Sequence, residues 1–293
     1  MAKPSLRLDH NAPGDFYVDS SCIDCDTCRW MDPATFTRRG SHSSVARQPR
    51  TEAERRRALL ALVSCPTASI GTVAKHDLAP VVAALPEPVD DAGRGPVYHC
   101  GYHDESSFGA ASYLVTREEG NVLVDAPRFT RPLVRRLEEL GGVHTLFLTH
   151  RDDVGDHARF AGHFGCRRVL HRRDLRPGTR DVELPVDGDE SLPLDDELTV
   201  IPVPGHTEGS ACLLYRDTWL FTGDHLAWSD ALGQIVAFRR ACWYDWGEVI
   251  RSSERLADFD FEWILPGHGR RCRFPRERMR RELARAIEWM RAA

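Results

Sequence analysis

The residues able to do chemistry fall in two groups along this 293-residue chain. Near the start, CIDCDTC sets Cys22, Cys25 and Cys28 in a C-x2-C-x2-C run, and Cys65 follows, directly before Pro66. Three closely spaced thiolates can wrap three corners of an iron–sulfur cube, and a distant cysteine followed by proline is the usual fourth ligand. Only one C-x2-C-x2-C run is present, so Cys65 is expected to close the same cluster. Structural zinc, which also takes C-x2-C pairs, is the competing use of such thiols. The other five cysteines, Cys100, Cys166, Cys212, Cys242 and Cys272, are scattered and read as structural or incidental thiols.

The second group is built from imidazoles and carboxylates. His150, Asp152, Asp153, Asp156 and His157 crowd the string THRDDVGDH; His206 lies in PGHTEGS, Asp224 in FTGDH and His268 in LPGHG. Each string follows an extended run and meets glycine or a turn, which is where a rigid scaffold presents site residues. This donor set suits Zn²⁺ or iron. His225, next to Asp224, is placed beside the site, and Tyr98 and His103 are candidate cleft residues.

The elements that must position these groups divide the chain. Residues 10–77 form one unit, with an extended run at FYVD and a helix at RTEAERRRALLALVS. Residues 78–96, LAPVVAALPEPVDDAGRGP, read as a linker from their proline, glycine and small residues. From 97 to 293 the runs SYLVT, NVLVD, HTLFLTH, CRRVLH, LTVIPV, ACLLYRD, WLFTGD and EWILPGH are strand candidates. RPLVRRLEELGG and DHARFAGHFG read as helices ending at glycine. Strands interleaved with helices imply an α/β core. The closing helix carries Met279, Leu283, Ile287 and Met290 as its apolar stripe, and its arginines, interrupted by glutamates, read as a solvated face.

Composition narrows the function classes. Hydrophobic residues make up 42% and charged residues 28%, a globular balance, and the net charge of −5 gives no general affinity for nucleic acid or membranes. The start, MAKPSLRLDH, lacks the apolar run of a signal peptide. A cytoplasmic location is therefore expected, where nine cysteines argue for metal rather than disulfides.

Two resemblances sharpen these expectations. From FYVDSSCIDCDTC through HSSVARQP to SCPTASIG the chain resembles bacterial single-cluster ferredoxins. Some of those lack a cysteine at the place of Cys25 and hold three irons; its presence implies a [4Fe–4S] cluster on Cys22, Cys25, Cys28 and Cys65. Residues 97 to 270 resemble the metallo-β-lactamase superfamily, through PGHTEGS, FTGD and LPGHG, with NVLVDAP similar to an early family strand that ends in aspartate, here Asp125. The implied fold class is α+β: a ferredoxin-like iron–sulfur domain followed by an αββα metallo-β-lactamase sandwich.

The resemblance also implies a ligand set of two divalent ions, zinc or iron. The family pattern is His-x-His-x-Asp-His, then His, then a bridging Asp, then a final His. Here His150 and His157 stand seven positions apart instead of five, with no histidine between them. Two placements are open. In one, Asp152 or Asp153 replaces the missing histidine beside His150 and His206 on the first metal. In the other, that ligand is absent. In both, Asp156, His157 and His268 take the second metal, Asp224 bridges, and Asp156 is also catalytic. The implied activity is hydrolysis of an ester, thioester, lactone or phosphoester of a small molecule. The alternatives are an iron-dependent oxidoreductase on the same fold, fed electrons by the ferredoxin domain, and a non-enzymatic electron-transfer or sensing protein. A redox partner protein is a further expectation.

Overall fold

The structure is a computed structural model and describes residues 2–90 and 95–292. Of the expected linker 78–96, residues 91–94 lie outside the described residues. The chain divides into two compact units, residues 1–144 with 155–165, and residues 145–154 with 166–293.

The first unit opens with the cysteine-bearing segment. Strand Phe16–Val18 pairs antiparallel with Ile70–Thr72, and Phe36–Arg39 with His42–Val45. Helix Glu52–Ser64 starts at a capping box: Thr51 Oγ1 accepts from Glu54 N and Glu54 Oε2 accepts from Thr51 N, each at 3.2 Å. Cys65 is its C-terminal cap, because Pro66 disfavours helical backbone in the residue before it. Thus a helix end fixes the fourth cysteine.

The stretch expected as a linker folds in part. Helix Ala79–Ala83 carries Pro80 in its first turn, and Glu87–Pro88 pairs antiparallel with Val97–His99. Its apolar residues explain this: Val81, Leu85 and Val89 are all buried, and that burial offsets the proline and glycine content. Strands Val97–His99, Tyr113–Val115 and Val122–Val124 continue antiparallel. Helix Arg131–Glu139 buries Leu133, Val134 and Leu137, and helix His157–Phe164 ends at left-handed Gly165.

The second unit holds a parallel run of Thr145–Phe147, Arg167–His171 and Leu184–Val186. It also holds a six-stranded sheet. In that sheet Leu198–Pro202 is antiparallel to Ala211–Tyr215, which is antiparallel to Trp219–Gly223, which is parallel to Trp263–Pro266. Three strands therefore run in one direction and end at one edge. The loops after them carry His206, Asp224 and His268. The closing helix Arg276–Ala292 buries Met279, Leu283, Ile287 and Met290 against Ile201, Leu220 and Ile264, so the expected stripe is the core-facing one. Among the described residues, no helix is long and apolar enough to cross a membrane.

Candidate functional site

Cys22, Cys25, Cys28 and Cys65 line one cavity, together with apolar Val18 and Ile70. The C-x2-C-x2-C turn is wound tightly because Asp24 and Asp26 both take left-handed backbone, with φ of 61° and 71°, which aspartate tolerates better than most residues. Arg29 holds that turn: its guanidinium donates to Asp24 Oδ1 at 2.7 Å, Asp26 Oδ1 at 2.5 Å and Ser43 Oγ at 2.6 Å. Backbone N–H groups of Ser43 and Ser69 donate to the sulfurs of Cys22 and Cys65, each at 3.3 Å. Burial pushes the Cys25 thiol up to about 11, against a lowering by Thr27, and burial raises Cys28 as well. Such thiols stay neutral until a cation draws off their protons. Four sulfurs around one cavity, with N–H donors already aimed at two of them, fit a cubane cluster.

Strands bring the second group together inside the second unit. His150 Nε2 lies 3.9 Å from Asp153 Oδ2 and 3.8 Å from Asp224 Oδ2. His206 Nε2 lies 3.4 Å from Asp152 Oδ2 and 3.7 Å from the same Asp224 Oδ2. His268 Nδ1 meets Asp224 Oδ1 at 2.7 Å. Two triads have ligand atoms spaced for a metal ion: His150, Asp152, His206, and His150, Asp153, Asp224. His150 and His206 are buried, and neither Nε2 has a hydrogen-bond partner. Buried imidazole nitrogens of that kind, aimed among carboxylates, are donors arranged for a cation.

The backbone forces this convergence. Gly223 has φ of +49°, and a Cβ there would stand 2.4 Å from Thr149 Oγ1, so only glycine brings the Asp224 loop that close to Thr149 and His150. Gly267 N donates to Gly223 O at 2.8 Å, tying the His268 loop to it. Burial drives His150 down to about 4, with Asp224 opposing, so the ring is neutral and able to ligate. Burial alone would raise Asp224, but His268, His150 and His206 outweigh it and hold the carboxylate well below its usual range.

Asp156 and His157 belong to the first unit. Asp156 Oδ2 accepts from Phe129 N at 2.7 Å and from Arg159 at 3.2 Å, and His157 is buried at the start of its helix. Neither is in the two triads. Asp125 is buried with φ of 54°. His103 and His99 are fully buried, Nε2 to Nε2 at 2.9 Å, and His103 Nδ1 donates to Gly109 O at 2.6 Å. His103 also lies 3.3 Å from Thr27 Oγ1, which meets Cys25 Sγ at 3.3 Å, so the cleft expected for His103 is instead packing beside the cysteine turn. His225 is buried, with Nε2 at 3.1 Å from Ser253 Oγ. Two features carry no sequence signal: Trp243, exposed with its ring 6.2 Å from that of His206 and its backbone N–H donating to His206 O, and the buried Asp174.

A sheet edge gathering histidines and carboxylates, together with a separate four-cysteine cavity, defines a metalloprotein with two kinds of centre. Residues 108–268, more than half of the chain, match the metallo-beta-lactamase superfamily, and the chain belongs to it. Residues 18–72 match the 4Fe-4S single cluster domain of Ferredoxin I. The chain is thus a metalloenzyme with an iron–sulfur domain, and the two matches together imply an iron–sulfur cluster and metal ions. It is 29% identical to YobT of Bacillus subtilis (strain 168) over 219 residues, 61% of this chain and 91% of that protein. It is 30% identical to hydroxyacylglutathione hydrolase of Citrobacter koseri over 118 residues, 39% of this chain and 46% of that enzyme, so it spans under half of that relative. The fold is shared with the DIM-1 metallo-beta-lactamase (TM-score 0.52, 15% identity, 69% of this chain and 96% of that one). It is shared also with a metallo-beta-lactamase from Pontibacter korlensis (TM-score 0.51, 17% identity, 70% and 98%).

Proposed function

We propose that the protein is a metal-dependent hydrolase of a small ester or thioester. His150, His206 and a carboxylate from Asp152 or Asp153 would hold the first metal, and Asp224 would be shared with a second. The observation carrying this is the convergence of two buried, hydrogen-bond-deficient imidazoles on Asp224 Oδ2. The assignment of Asp156 and His157 with His268 to the second metal rests on the order of the sequence motif. A bound divalent metal supplies Lewis acidity and a nucleophile at neutral pH.

The chain's own residues do the rest. Asp224 stays ionised and His150 neutral across the physiological range, so these two donors need no proton adjustment. Trp243 offers a flat apolar face beside His206 for the acyl or leaving group. The hydroxyacylglutathione hydrolase relative supports a thioester as the first substrate class to test. The cluster domain serves electron transfer with a redox partner and is separate from the hydrolytic step, which consumes no electrons.

A second reading, an iron-dependent oxidoreductase, is favoured by one observation: carboxylates rather than a further imidazole stand beside His150 and His206, and such sets suit iron. Steady-state assays of zinc-loaded and iron-loaded protein on a glutathione thioester separate the two. Hydrolysis with zinc and no reductant supports the first; no hydrolysis, with consumption of oxygen or another oxidant confined to iron-loaded, reduced protein, supports the second.

A further inference from the structure

The geometry points to Asp174 as a positioning residue that sets the spacing of His150 and His206 through one buried carboxylate. The inference rests on the reading of those two histidines as metal ligands. Asp174 ends the short turn Arg172–Asp174 that follows strand Arg167–His171 and has no exposed surface. Its Oδ2 accepts from Arg151 N at 2.9 Å and from Thr207 Oγ1 at 2.6 Å. Its Oδ1 accepts from Gly209 N at 2.9 Å, and the Arg151 guanidinium stands 3.6 Å from that oxygen. Arg151 directly follows His150, and Thr207 directly follows His206. One side chain therefore holds both loops, each at the residue next to a ligand.

The surrounding protons have a single consistent direction. Ser210 Oγ accepts from Thr207 N at 3.0 Å and lies 2.7 Å from Thr207 Oγ1. Thr207 gives its own hydroxyl proton to Asp174, so Ser210 donates to Thr207. Every neighbour of Asp174 is then a donor, and only an ionised carboxylate accepts from all of them. The approach is as close as glycine allows: a Cβ on Gly209 would stand 2.7 to 2.8 Å from Asp174 N, Cβ and Cγ. An apolar side chain at this position would leave the Arg151, Thr207 and Gly209 donors buried without an acceptor. What an apolar side chain cannot do is accept from two loops at once.

An asparagine in place of Asp174 would not reproduce this, since an amide offers one acceptor oxygen and turns its NH₂ against Gly209 N–H or against the Arg151 and Thr207 donors. The substitution Asp174→Asn should weaken metal binding about 10- to 100-fold, the usual cost of losing a group that orients ligands. Thr207→Val removes one of the donors at nearly constant volume and should weaken binding by less, and Thr207→Ser, which keeps the hydroxyl, should restore it.

The test is titration of Co²⁺ into zinc-stripped, cluster-loaded protein. Affinity is read by chelator competition, and site geometry by the EPR of high-spin Co²⁺ at saturation. The inference expects weaker binding and an altered EPR signal in Asp174→Asn, a smaller change of both in Thr207→Val, and wild-type values in Thr207→Ser. Wild-type affinity and signal in Asp174→Asn, with only a lower unfolding midpoint, would overturn it and leave Asp174 a folding residue. If Asp174→Asn does not fold, wild-type values in Thr207→Val overturn it equally. Wild-type protein that takes up no Co²⁺ at His150 and His206 would instead overturn the underlying ligand reading, and this inference with it.

Discussion

Asp224 Oδ1 accepts from His268 Nδ1 at 2.7 Å while its Oδ2 faces two other histidines, His150 at 3.8 Å and His206 at 3.7 Å. A single carboxylate thus faces three imidazoles through two different oxygens, the arrangement a bridging ligand requires. Asp224→Ala should therefore lower the metal content of the whole site, not of one position, by about half or more relative to wild type. Asp230→Ala, at an exposed carboxylate paired with Arg270, should leave it unchanged. Metal analysis of both variants checks this, and full occupancy in Asp224→Ala removes the bridging role.

Asp152 and Asp153 should differ. Asp153 is buried near His150, whereas Asp152 is exposed and faces His206, and His206 holds the Asp152 carboxylate below its usual range. The position nearer His206 and already ionised is the better candidate to stand in for the missing imidazole. Asp152→Ala is expected to cost about 10-fold or more in zinc affinity by chelator competition. If Asp153→Ala costs more, the roles are exchanged.

The cluster should depend on Cys65 and on the donors around it. Anaerobically purified protein is expected to be brown, with about four irons and four acid-labile sulfides in its first domain. Cys65→Ser should bleach it, because an alkoxide is a poor corner ligand. Zinc in that cavity with no labile sulfide would replace the cluster reading with a structural metal.

Acid should destabilise the zinc-free protein in a defined window. Burial holds His150 at about 4 and His225 at about 3, against an ordinary 6.5. Above pH 6.5 both rings are neutral folded and unfolded, so neither affects stability. As pH falls below that, the unfolded chain takes up a proton at each ring that the folded chain refuses, and stability drops by up to ~1.4 kcal/mol per pH unit for each. His225→Gln should flatten this slope by one histidine's share and leave metal content intact. Urea unfolding at several pH values between about 7.5 and 5 measures it; an unchanged slope assigns the effect elsewhere.

Much of this was legible in residue order. The cysteine run and Cys65-Pro66 mark one cavity because a tight turn and a helix end are local devices. His206, Asp224 and His268 sit after strands whose apolar runs and glycines are visible, while their common direction is tertiary, because the strand Ala211–Tyr215 turns the chain back between the first two. The THRDDVGDH loop was not resolved by spacing, since its extra residues leave several carboxylates equally placed on paper. Asp174 was silent for a different reason: a lone aspartate after a strand gains meaning only when Arg151, Thr207 and Gly209, from two other loops, fold onto it. Within the expected linker 78–96, proline and glycine are local signals, while the burial of Val81 and Leu85 that folds part of it is tertiary.

Turnover of a glutathione thioester by zinc-loaded Cys25→Ser protein decides whether the site works as a hydrolase independent of the cluster. Losing one cluster ligand damages the electron carrier without touching His150, His206 or Asp224. Hydrolysis proceeds without a change of metal oxidation state, so the variant should keep most of the wild-type kcat/KM under anaerobic conditions with no reductant. If zinc-loaded wild type and variant hydrolyse nothing, while iron-loaded wild type consumes oxygen or another oxidant only when its cluster is reduced, the site is an oxidoreductase and the hydrolytic account fails.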